Sequence, residues 1–127
     1  MLTKSRPKFL NLFAMIVPMS ITAKISILHR ISGVLLVLLI PALLYVFHQS
    51  LISPSFYQAL YGICNCALTK LFYLVLLAAF IYHLCAGVRF LFLDIHYGVD
   101  IKTAKRTSYV VLVVSIILTV VLGVLIW

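Results

Sequence analysis

The sequence predicts an all-α integral membrane protein with three transmembrane helices. Of its 127 residues, 65% are hydrophobic and only 9% are charged. The apolar residues gather into three runs, each about as long as a bilayer core is thick. Nearly all the basic residues fall on one side of those runs. A soluble domain carries about 25% charged residues, and a chain this short leaves much of its folded surface wet. There is too little polar material here to cover such a surface.

The runs extend over about residues 25–47, 71–93 and 109–127. At about 1.5 Å per residue they reach roughly 28 to 35 Å, enough to cross a hydrocarbon core of about 30 Å. The β-branched stretch 110–114 would favour a strand in water. In lipid the backbone must satisfy its own hydrogen bonds, so a helix is expected instead. Pro41 is expected to bend the first span without ending it. The first connection, residues 49–69, has the Ser, Pro, Gly and Tyr content of a short interfacial helix. The second, residues 94–108, contains the only two acidic residues, Asp94 and Asp100. These connections are too short for a second soluble domain, so residues 1–127 are expected to form a single membrane-anchor domain with an N-terminal cytoplasmic segment, 1–24.

Basic residues set the expected orientation. Lys4, Arg6, Lys8, Lys24 and Arg30 precede or open the first span; Arg89, Lys102, Lys105 and Arg106 surround the second connection; Lys70 alone belongs to the other side. The positive-inside rule then puts the N-terminus in the cytoplasm and the C-terminus, with Trp127, in the periplasm of a bacterial inner membrane. In a mitochondrion the matrix would be the equivalent side. The net charge of +8 is read as a topology signal helped by anionic membrane lipids, and its scatter argues against nucleic acid. No secretory signal peptide is expected, because the first apolar run is a full span. Cys64 and Cys66 form a C-x-C with no second pair to complete a metal site, and Cys85 is expected simply to pack.

Polar residues inside the oil carry the chemistry. His83 lies near the middle of the second span, where an ionisable side chain normally faces a bundle interior with a partner. It could bond across a helix interface, relay a proton or ion, or ligate a haem iron, which accepts histidine readily. Gly87, one turn on, would let a flat ring or another helix approach. His29, His48 and His96 all lie near a membrane surface, so a second haem ligand would come from another subunit. Three helices are also a thin wrapper for a macrocycle, so they are expected to form part of a heteromeric helical bundle. In the first span Ser26, Arg30 and Gly33 fall at i, i+4 and i+7 and share one stripe. A hydroxyl, a fixed charge and a gap suit a quinone headgroup, whose carbonyls need donors and gain negative charge on reduction. His29 and Arg30 could equally meet haem propionates, and Arg30 could instead snorkel as a helix-end anchor. Arg89 and Asp94, five residues apart, are not stacked on one face, so each is expected to pair elsewhere: another helix, a propionate or a neighbouring subunit.

These motifs resemble those of the cytochrome b556 subunits of succinate dehydrogenase, one of two small membrane anchors of respiratory complex II. The resemblance rests on RPKFLNL at 6–12, on PMSITAKISILHRISG at 18–33 and on HLCAGVRFLFLD at 83–94. Together they give S-I-x-H-R-x-S-G and then H-x-x-x-G-x-R-x-x-x-x-D, with three spans in matching order. The resemblance implies that His83 is an axial ligand of haem b, with the other histidine supplied by a second membrane-anchor subunit. It also implies that His29 and Arg30 lie near the haem propionates, and that Ser26 and Arg30 help form a ubiquinone site beside the iron–sulfur subunit. Succinate oxidation would belong to a flavoprotein subunit carrying FAD, and electron relay to the iron–sulfur clusters of its neighbour, so this chain would be a subunit of the enzyme without catalysing the oxidation itself. Many bacterial members read G-[IV]-R-H in the second motif, whereas this chain has Phe90 after Arg89.

Overall fold

The computed structural model describes residues 19–126, of which 90% are helical. Among the described residues four helices follow in order: α1, Ile21–Ile52; α2, Pro54–Cys64; α3, Ala67–Asp94; and α4, Ile101–Ile126. Three of them, α1, α3 and α4, are long and apolar enough to cross a membrane. The expected cytoplasmic residues Lys4, Arg6 and Lys8, the RPKFLNL motif and the Trp127 anchor lie outside the described residues.

Each helix begins where a side chain meets otherwise orphaned backbone groups, α3 excepted. Ser20 caps α1 by accepting from the Ala23 amide at 3.4 Å. The helix then continues unbroken through Pro41 to Ile52. Ser53 serves two helices: its amide closes α1 on the Gln49 carbonyl, and its hydroxyl caps α2 at Phe56, with Pro54 in the first turn. Helix α2 buries no residue, which suits a helix lying along a membrane surface.

The α3–α4 turn is built by local geometry. The Tyr97 amide reaches back to the Phe92 carbonyl and the His96 amide to the Leu93 carbonyl. That is a Schellman closure, and the Tyr97 ring lies 6.2 Å from Phe92 across it. It requires a left-handed residue, here His96 at φ 62°, and Gly98 follows at φ 75°. Asp100 then opens α4, its carboxylate accepting from the Thr103 amide at 2.9 Å. The Thr103 amide and hydroxyl hold that carboxyl below the ordinary carboxylate range. Helix α4 therefore starts at residue 101, eight residues before the apolar run expected from 109. Its first two turns carry Lys102, Lys105 and Arg106 on exposed positions, so hydropathy alone does not register them.

Buried residues concentrate at one end of the bundle. They are Ile25, Ser32 and Leu36 in α1; Ile81, Ala86 and Arg89 in α3; and Ser108, Val111 and Ser115 in α4. The serines let backbones approach closely and return their hydroxyls to their own helices: Ser32 to the His29 carbonyl, Ser108 to Ala104 and Ser115 to Leu112. Helix α3 is fastened to both neighbours at this end. Its Tyr82 hydroxyl donates to the Ile25 carbonyl at 2.9 Å, and its Arg89 donates to Thr107 and to the Ala104 carbonyl. At the other end the helices part around an apolar cavity of about 650 Å³ bordered by Leu36, Leu43, Tyr73, Leu77 and Gly123. Only 11% of each apolar window is buried, which leaves most of the three helices to lipid and to other chains.

Candidate functional site

The closed end of the bundle brings two histidines from different helices face to face. The rings of His29 in α1 and His83 in α3 stack with centroids 4.1 Å apart and planes within 10°. His83 Nδ1 lies 3.1 Å from the His29 carbonyl oxygen and 3.1 Å from Ser32 Oγ. A carbonyl oxygen can only accept, so Nδ1 carries the proton. The Ser32 hydroxyl spends its own proton on the same carbonyl at 2.9 Å, which leaves its oxygen to accept from His83 as well. The imidazole is thereby fixed in one tautomer, with its lone pair on Nε2. No described residue hydrogen-bonds to that nitrogen. His29 lies against the face of the ring, so the edge bearing Nε2 is not crossed by it.

Two glycines make this approach possible. A Cβ on Gly33 would sit 2.9 Å from His83 Cε1, closer than carbon atoms pack, so only glycine leaves room for the ring. Gly87 faces His29 in turn, where a Cβ would lie 3.5 Å from Nε2, an ordinary contact. The gap at Gly33, read from sequence as space for a headgroup, is therefore filled by the His83 ring. The gap at Gly87 receives the neighbouring helix.

Phe90 stands 5.1 Å from the His29 ring and tilted to it, and the Arg89 guanidinium lies 5.4 Å from the Phe90 centroid. Phe90 thus supplies an apolar wall to His29. His29 Nε2 is enclosed and has no hydrogen-bonding partner among the described residues. An unpaired buried ring nitrogen is costly, and His29 bears that cost where it packs against α3.

Ser26 and Arg30 lie on the same helix as His29 but make no hydrogen bond to this cluster. Ser26 is half-buried, Arg30 is exposed, and neither has a polar partner among the described residues. Both donors are therefore available to an external acceptor at the membrane edge. Sequence reasoning missed Ser32 and Tyr82, which orient His83 and join α3 to α1. The signal for Ser32 was its place beside Gly33, two small residues in succession within an apolar span.

Comparison with known proteins identifies the family. The succinate dehydrogenase/fumarate reductase transmembrane subunit family matches residues 3–122. The chain is 37% identical over 106 residues to the succinate dehydrogenase cytochrome b556 subunit of Rickettsia felis, covering 84% of this chain and 82% of that one. It is 37% identical over 111 residues to the protein of the same name from Coxiella burnetii, covering 87% and 86%. The corresponding Rickettsia prowazekii protein is 36% identical over 104 residues, covering 82% and 81%.

Proposed function

The chain belongs to the succinate dehydrogenase/fumarate reductase transmembrane subunit family, and from that premise we propose that it holds a haem b through His83 and helps form a quinone site with Ser26 and Arg30. The observation that carries the proposal is the pinned imidazole. Metal-ligating histidines almost always donate the other ring N–H to an oxygen, which fixes the tautomer and raises ligand basicity. His83 has this arrangement within a membrane span, with Nδ1 directed to the His29 carbonyl and Ser32.

The remaining residues fit the same group. His29 Nε2 is sealed within the chain, so its ring would have to turn to meet a propionate oxygen, whereas Arg30 at the next position is exposed and offers a donor of fixed charge. When bound, the haem would supply a one-electron centre, held by His83 of this chain and by a histidine of the second anchor subunit. Ser26 donates a hydrogen bond to a quinone carbonyl. Arg30 places a permanent positive charge where negative charge develops as the quinone is reduced, and such preplaced donors lower the barrier to reduction. No residue here performs succinate chemistry; FAD belongs to the flavoprotein subunit and the clusters to the iron–sulfur subunit. Of the quinones, ubiquinone is the one the family resemblance favours.

The chain would work as a single anchor domain in a bacterial inner membrane, with its N-terminus and the α3–α4 turn in the cytoplasm. The basic residues of that turn and the bacterial source of the relatives support this placement. A reduced-minus-oxidised visible spectrum of the intact complex tests the haem assignment. His83→Ala is expected to abolish the b-type signal while the subunits still assemble. A full signal in an assembled variant would remove His83 as a ligand.

A further inference from the structure

We propose that Arg89 and Lys105 form a binding site for the phosphate of an anionic phospholipid, seated between the start of α1, the end of α3 and the first turns of α4. Arg89 is only 7% exposed, and two of its N–H groups are used, on Thr107 Oγ1 at 3.1 Å and on the Ala104 carbonyl at 3.2 Å. A guanidinium has five N–H donors, so three remain. None of the recorded partners is charged, although a buried charge normally requires a counter-ion.

The chain cannot readily provide one. Its sequence has only two acidic side chains, Asp94 and Asp100. Both are exposed, and the Asp100 carboxylate is committed to the Thr103 amide. The balancing anion must therefore come from outside.

A cavity of about 500 Å³ stands beside the guanidinium, bordered by Lys105, Ser20, Thr22, Phe90 and Leu93. Its polar side has two cations, two hydroxyls and the first turn of α1, whose amides carry partial positive charge. Its other side is apolar. One side-chain carboxylate would leave most of that volume vacant, whereas a phosphodiester with its glycerol and first methylenes matches both walls. Arg89 is five residues from the end of α3, about 7.5 Å along the axis. That is headgroup depth for a helix closing at the membrane surface. The site depends on neither the haem nor the quinone assignment.

Native mass spectrometry of the intact complex tests the proposal, with dioleoyl phosphatidylglycerol added after delipidation and dioleoyl phosphatidylcholine as the neutral comparison. Wild type should retain phosphatidylglycerol in preference to phosphatidylcholine. Arg89→Gln and Lys105→Gln should each weaken retention by about tenfold, with haem content unchanged in Lys105→Gln. Equal retention in wild type and both variants would overturn the proposal. So would loss of haem or of a partner subunit from Arg89→Gln with lipid retention intact, since the anion would then be a propionate or a partner's carboxylate. If Arg89→Gln does not assemble, Lys105→Gln decides alone.

Discussion

A single imidazole in this protein is held by three neighbours, and each restricts it differently. The His29 carbonyl sets its tautomer, Ser32 fixes its tilt, and Gly33 leaves the space it occupies. Gly33→Ala would press a methyl to 2.9 Å from a ring that hydrogen bonds prevent from sliding away. Such overpacking costs about 1–3 kcal/mol, and the variant should lose most of its b-type absorbance and melt earlier. Gly123→Ala is the control, because its Cβ would meet only Leu74 Cδ1, the tip of a flexible side chain, at 2.8 Å. Spectra and thermal melts of the two complexes check the contrast, and equal behaviour would mean the ring is not pinned. Arg30→Leu should lower succinate–quinone reductase activity more than succinate oxidation by a dye that bypasses the quinone. Assays of both on one preparation, with haem quantified, decide it; equal residual activities count against the quinone role. His83 was legible in the sequence because an ionisable residue at mid-membrane is rare. Ser32 and Tyr82 were not, since their roles depend on which faces of α1 and α3 meet.

Among the elements, the spans were legible and their ends were not. Hydropathy registers side chains, so it placed the apolar runs within α1, α3 and α4. A helix begins at its cap, however, and Asp100 starts α4 in a stretch whose lysines and arginine read as a loop. The α3–α4 turn depends similarly on one unusual backbone angle. His96 at φ 62° occupies a position where glycine is the common choice. A left-handed conformation costs an ordinary residue about 1–2 kcal/mol, partly offset by the greater chain entropy glycine loses. His96→Gly should therefore stabilise the protein by about 1 kcal/mol. Denaturation of the complex in detergent measures this, and a lowered midpoint would show that the imidazole itself holds the turn.

At the scale of the whole molecule, the three long helices among the described residues pack closely at one end and part at the other. On the proposed topology, with the α3–α4 turn in the cytoplasm, the α1–α3 connection would face the periplasm and present Cys66, which is exposed. A membrane-impermeant maleimide added to spheroplasts should label Cys66 in a variant lacking Cys64 and Cys85, while labelling confined to inverted vesicles would reverse the topology. Sequence patterning showed that the chain spans the membrane three times. It could not show that packing is uneven along those spans, because the mean apolar character hardly changes from end to end whereas the small residues Ser32, Gly33, Ala86, Gly87, Ser108 and Ser115 cluster. This asymmetry implies an order of melting. Local opening follows the distribution of buried contacts, so on heating the halves of α1 and α4 that border the apolar cavity should fray and exchange their amide protons first. The paired imidazoles are stored in the half that comes apart last.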